Sequence, residues 1–220
     1  MNLSAKNVSF KYYGKKKKKP IFELCSTSLD VPEGKLTAII GHSGSGKSTL
    51  LSILAGVLRP EKGDVTVGNV DIYSLSDRER SSYRNKNIGV IPQGNSSLKH
   101  LTVFENISLP YEMYGDGVPR ENIDAILRRF GLIELADESA CGLSGGEQRR
   151  LAIVRAIVRK PSIILADEPT GDLDEDNRKN VLSELKKMTM SGTTVLMVTH
   201  DKEAEGYADQ VFKMENGVLL

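Results

Sequence analysis

The run from Leu36 to Ala55 constrains this chain more than any other. Leu36-Thr37-Ala38-Ile39-Ile40 leads without a break into Gly41-His42-Ser43-Gly44-Ser45-Gly46-Lys47-Ser48, and Thr49 to Ala55 then reads as a helix. A strand apolar at nearly every position is expected to be covered on both faces, the habit of parallel α/β sheets. The loop fits G-x-x-x-x-G-K-[ST], in which glycines let backbone N–H groups turn inward and the following helix adds the positive end of its dipole. Gly41, Ser43, Gly44, Ser45, Gly46, Lys47, Ser48 and Thr49 are thus expected to cradle a polyphosphate. Lys47 would reach the β- and γ-phosphates, and the Ser48 hydroxyl would ligate Mg²⁺.

Two further segments fit that chemistry. Ile163-Ile164-Leu165-Ala166 delivers Asp167 and Glu168 at the carboxyl end of a second apolar strand, where α/β folds bind ligands. Asp167 suits an Mg²⁺-holding carboxylate and Glu168 a general base that polarises the attacking water. Leu143-Ser144-Gly145-Gly146-Glu147 precedes a helical stretch running to Val158. Ser144 and Glu147 alone would make a capping box, but two glycines at the start of a helix weaken it and make sense where an anion must approach the backbone. Ser144, Gly145 and Gly146 are therefore a second anion site.

Composition narrows the rest. Thirty basic against twenty-nine acidic residues leave a net charge of +1, so no broad field draws the chain to nucleic acid, and a polyanion must be held locally. Two cysteines, Cys25 and Cys141, carry no metal-ligand spacing and imply reduced thiols. No apolar window approaches a membrane span, and no leader is legible at the N-terminus. Strands at Leu3 to Phe10 and Ile21 to Leu29 predict an antiparallel β region, and further apolar strands recur at Ser162 to Ala166 and Thr193 to Val198. Helices are expected from Arg120 to Phe130, ended by Gly131, and from Asp176 to Met190.

Taken in order, the phosphate loop, L-S-G-G-E, the Asp167-Glu168 strand end and Thr199-His200-Asp201 resemble the ATP-binding cassette (ABC) ATPases over essentially the whole chain. The resemblance implies an α/β P-loop core with a mainly parallel sheet, an N-terminal antiparallel β subdomain and an α-helical subdomain. These form one domain, with 1–93 and 160–220 as core and β subdomain and 94–159 as the helical part. It also implies roles: Gln93 on Mg²⁺, His200 on the γ-phosphate, Asp174 in the partner-facing loop, and Tyr12, with Tyr13 as competitor, stacked on adenine. A histidine after a strand can also be a capping or core residue. ABC precedent further implies a homodimer in which Ser144, Gly145, Gly146 and Asp174 complete the opposite chain's ATP site. The chain would then be an Mg-dependent ATPase peripheral on the cytoplasmic face of the membrane, driving separate transmembrane permease subunits.

The stretch Leu101 to Pro110 looks like the branch of macrolide and antimicrobial-peptide exporters, lipoprotein-release systems and the cell-division ATPase. Export, extraction or transmembrane signalling is thus expected; a soluble ABC ATPase in an assembly machinery, such as iron–sulfur cluster maturation, is the alternative. Two departures from the common motifs, Pro92 before Gln93 and Glu147-Gln148-Arg149-Arg150 in place of Q-Q-Q-R, are expected to bear on a transmembrane partner. The run Lys15 to Lys19 reads as a solvated turn or as a contact with anionic lipid or a partner, at about 1 kcal/mol per lysine near a charged membrane.

Overall fold

Residues 1–14, 19–94, 96–171 and 173–220 are described by a computed structural model; most of the Lys15 to Lys19 run lies outside them. In chain order the elements are β1 (Leu3–Tyr13), β2 (Pro20–Val31), β3 (Leu36–Ile40), α1 (Lys47–Leu54), β4 (Lys62–Val67), β5 (Val70–Asp71), α2 (Asp77–Asn87) and β6 (Ile88–Ile91). There follow α3 (Val103–Glu112), α4 (Arg120–Arg129), α5 (Gly145–Ile157), β7 (Ile163–Asp167), α6 (Glu175–Met190), β8 (Thr194–Thr199), β9 (Gln210–Glu215) and β10 (Val218–Leu219).

The unbroken apolar strands behave as expected. β9, β3, β8, β7 and β6 lie side by side and parallel, with β10 antiparallel on the outer edge of β9. Along each central strand alternate residues serve two different cores. Ala38, Ile40, Ile164, Ala166, Val195 and Met197 face one side with the apolar stripes of α3 to α6. Ile39, Ile163, Leu165, Leu196 and Val198 face the other with α1 and the antiparallel sheet. A period of two therefore persists inside a run that looks continuous, because both faces are dry. Each fully buried Leu or Ile contributes about 1.5–3 kcal/mol to holding these layers.

The antiparallel sheet has the order β2-β1-β4-β5. β1 and β2 meet the expectation for the first residues, while β4 and β5 add two strands to it. Among the helices, α4 buries Ile123 and Leu127 four apart and stops before Gly131, whose φ of +64° ends the helical path. Asp174 caps α6 by accepting from the Asn177 amide at 2.8 Å. No helix among the described residues is long and apolar enough to cross a membrane.

Candidate active site

Parallel neighbours bring their carboxyl ends to one edge of the sheet. β3 releases Gly41, β8 releases His200, β7 ends on Asp167 with Glu168 next, and β6 leads through Pro92 to Gln93. Two adjoining clefts of about 620 and 540 Å³ open there and share Gln93, Glu168 and His200. The larger is lined also by Tyr12, Ser43, Gly44, Gly46, Lys47, Ser48 and Thr49. Tyr12 reaches it through its place on β1 opposite Phe22, which lines the cleft too; Tyr13 is exposed and does not line it.

The phosphate loop is tightly built by its own chain. At Gly41 a Cβ would lie 2.3 Å from the Met214 carbonyl oxygen; at Gly46, with φ +106°, it would lie 2.6 Å from the Phe22 ring. Ser45 is fully buried within the loop. Lys47 donates to the carbonyls of Gly41 at 2.6 Å and His42 at 3.0 Å, so its ammonium is held across the loop mouth. Burial pulls the Lys47 amine below the ordinary lysine range, only partly offset by Glu168 and Asp167. No side chain caps α1, and its first-turn amides remain open to an anion.

Glu168 is held from several sides. Its Oε2 accepts from the Thr199 hydroxyl at 3.0 Å and the His200 amide at 3.3 Å, and lies 2.9 Å from His200 Nδ1. Its Oε1 lies 4.0 Å from Lys47 Nζ. The backbone of Glu168 has φ +47°, an uncommon conformation for a residue with a side chain, and one that concentrates at functional turns. Beside it burial pushes the Asp167 carboxyl up, although a hydrogen bond with Ser48 pulls the other way. Asp167 Oδ1 is buried and has no hydrogen-bond partner among the described residues. The His200 ring is 69% exposed, which removes the reading of a core histidine.

Ser144, Gly145, Gly146 and Asp174 do not line these clefts. At the start of α5 a full capping box forms: the Ser144 amide and hydroxyl each donate to Glu147 Oε2 at 2.7 Å, and the Glu147 amide donates back at 3.4 Å. Those donors hold the Glu147 carboxyl below the usual carboxylate range. A Cβ on Gly145 would meet open space, and one on Gly146 only the Arg150 guanidinium at 3.7 Å.

Sequence reasoning missed three residues of the site. Phe22 packs on Gly46 and carries no signal beyond an apolar strand position; Thr199, read only as part of a tripeptide, donates to Glu168. Arg149 is the third, read only as part of a departure from the common motif: it is 3% exposed and turns inward.

Residues 24–171 match the family model described as ABC transporter. This chain belongs to the ABC transporter family. It is similar to the lipoprotein-releasing system ATP-binding protein LolD of Blochmanniella floridana, 40% identical over 87% of this chain and 83% of that one. To the macrolide export ATP-binding/permease protein MacB of Chlorobium phaeobacteroides it is 39% identical, over 90% of this chain and 30% of that longer one. The fold matches the ATP-binding cassette MJ0796, dimeric in a post-hydrolysis state with ADP and Pi, at a TM-score of 0.90 and 33% identity over 98% of this chain and 95% of that one. The chain is thus an ABC ATPase, an α/β cassette that binds nucleotide and hydrolyses ATP.

Proposed function

We propose that this ABC ATPase closes as a homodimer around two ATP molecules and drives a separate permease that exports or extracts a peptide, drug or lipoprotein, or transmits a signal across the membrane. One observation carries the dimer: nothing among the described residues crowds Gly145 or Gly146, and we read the demand for two glycines at a helix start as coming from outside the chain. A phosphate held by a second copy fits that demand, with Asp174 in the facing loop. The names of the relatives support the transport role, and an apolar cleft bordered by exposed Leu98, Met113 and Tyr114, beside the Gln93 loop, suits a permease segment. On this reading the chain sits peripherally on the cytoplasmic face, with 94–159 as the arm that carries the signature.

In this mechanism the loop amides and Lys47 hold the phosphates of ATP, and Tyr12 stacks on adenine. The buried, unpartnered Asp167 Oδ1 beside Ser48 suits a divalent cation, and Ser48, Gln93 and Asp167 would hold Mg²⁺. When bound, the ion supplies charge neutralisation at the phosphates. Glu168 takes a proton from the attacking water, oriented by Thr199 and His200, and His200 meets the γ-phosphate from its exposed position. Glu168→Gln is the test. It is expected to bind ATP, to lose hydrolysis by about 10²-fold or more, and to elute as a dimer with ATP. A variant that stays monomeric with ATP at high concentration refutes the dimer.

A further inference from the structure

Helix α5 starts at the signature glycines, and one turn further along it Arg149 enters the hydrolytic centre of the same chain. Its guanidinium spans two backbone segments. Nη1 donates to the carbonyls of Pro92 at 2.6 Å and Gly94 at 3.3 Å, the residues on either side of Gln93. Nη2 donates to the carbonyls of Asp167 at 3.1 Å and Glu168 at 2.5 Å, and Nε donates to that of Pro169 at 2.8 Å. Three successive carbonyls around a residue with φ +47° thus turn toward one planar donor group.

The geometry points to Arg149 as a positioning residue that couples the signature helix to this chain's own Glu168 and Gln93, so that occupancy of one ATP site sets the hydrolytic readiness of the other. The coupling rests on the proposed dimer, in which Ser144 to Gly146 meet the partner's nucleotide. Arginine suits the task because its N–H donors diverge in a fixed plane and can serve both segments at once. A lysine ammonium keeps the charge but acts as a point donor on a flexible stem, and it leaves buried carbonyls unmet. A shift of α5 along its axis carries the guanidinium with it, and the peptide units that aim Gln93 and Glu168 must follow.

The test is Arg149→Lys in two backgrounds. In the otherwise unchanged chain, kcat is expected to fall about tenfold with the KM for ATP within about twofold, since the loss falls on the orientation of Glu168 and not on phosphate binding. The Hill coefficient for ATP is expected to lie above 1 in the unaltered protein and to drop to 1 in the variant. Combined with Glu168→Gln, Arg149→Lys is expected still to form the ATP-held dimer. An unchanged kcat and Hill coefficient overturn the proposal, as do a KM that rises in step with the loss of kcat, loss of the dimer in the double variant, or a Hill coefficient of 1 in the unaltered protein. Arg149→Gln, which keeps one amide donor, replaces the lysine variant if that does not fold; failure of both to fold makes Arg149 a residue of the fold alone and overturns the coupling. A monomeric Glu168→Gln variant, by contrast, refutes the dimer itself.

Discussion

The phosphate loop and the signature loop are both glycine-rich helix starts, yet the chain treats them in opposite ways. Around Gly41 and Gly46 its own atoms leave no room for a side chain, and the helix that follows has no cap. Around Gly145 and Gly146 there is room, and the helix is capped by Ser144 and Glu147. Electrostatics divide the same way. Burial disfavours the charged forms of both Lys47 and Asp167, whereas Glu147 has its charged form favoured by Ser144. One loop is shaped from within, with charged groups beside it that burial disfavours; the other is capped by its own residues and has room above its glycines.

Adding one methyl group to each loop puts that contrast to the test. Gly46→Ala forces a side chain into φ +106° against Phe22 and is expected to destabilise the protein by about 1–3 kcal/mol, and to abolish detectable ATP binding. Gly145→Ala is expected to leave stability within about 0.5 kcal/mol, or to raise it, because alanine is the better helix former. Its hydrolysis is nevertheless expected to fall about tenfold or more, through the partner's site. Thermal melts with steady-state ATPase rates read both effects. A Gly145→Ala protein with full activity would mean that the second loop is only a capped helix.

Within the first loop's cleft, the two tyrosines offer a smaller contrast. Tyr12 lines the cleft while Tyr13, next along β1, does not. Tyr12→Ala is expected to raise the KM for ATP about tenfold, the loss of one aromatic platform for a base. Tyr13→Ala is expected to change it less than twofold. Equal effects would place the adenine away from β1.

Most of the fold was legible because its strongest signals are local. The strand ends at Ile40 and Asp167, the helix stop at Gly131 and the loop glycines follow from period, burial and turn chemistry. β4, β5, α2, β9 and β10 were not read, although Ser76 with Glu79 forms a capping box and Asn216-Gly217 joins β9 to β10. Their polar, short segments show little periodicity, and tertiary pairing decides them. In the site, Lys47, Ser48, Asp167 and Glu168 announced themselves by motif. Thr199, Phe22 and Arg149 did not, because an ordinary residue type gains its role only from the strand or helix it faces.

The smallest effect concerns what keeps the signature loop ready. Glu147 has a lowered carboxyl pKa in the folded chain, so its contribution is present above the usual carboxylate range and is lost as pH falls through the lowered value. Solvent reaches this group, so the contribution is a few tenths of a kcal/mol after screening. Glu147→Gln keeps a neutral capping partner without the charge. It is therefore expected to melt slightly below the unaltered protein at neutral pH and together with it under strong acid, in melts recorded across pH at low salt. Asp167 works in the other direction: its carboxyl is raised by burial, so protonation relieves it. Acid thus removes support from the signature loop while it eases the phosphate site, and a Glu147→Gln gap that persists into acid would show that the carboxylate charge is not what holds the outward-facing loop.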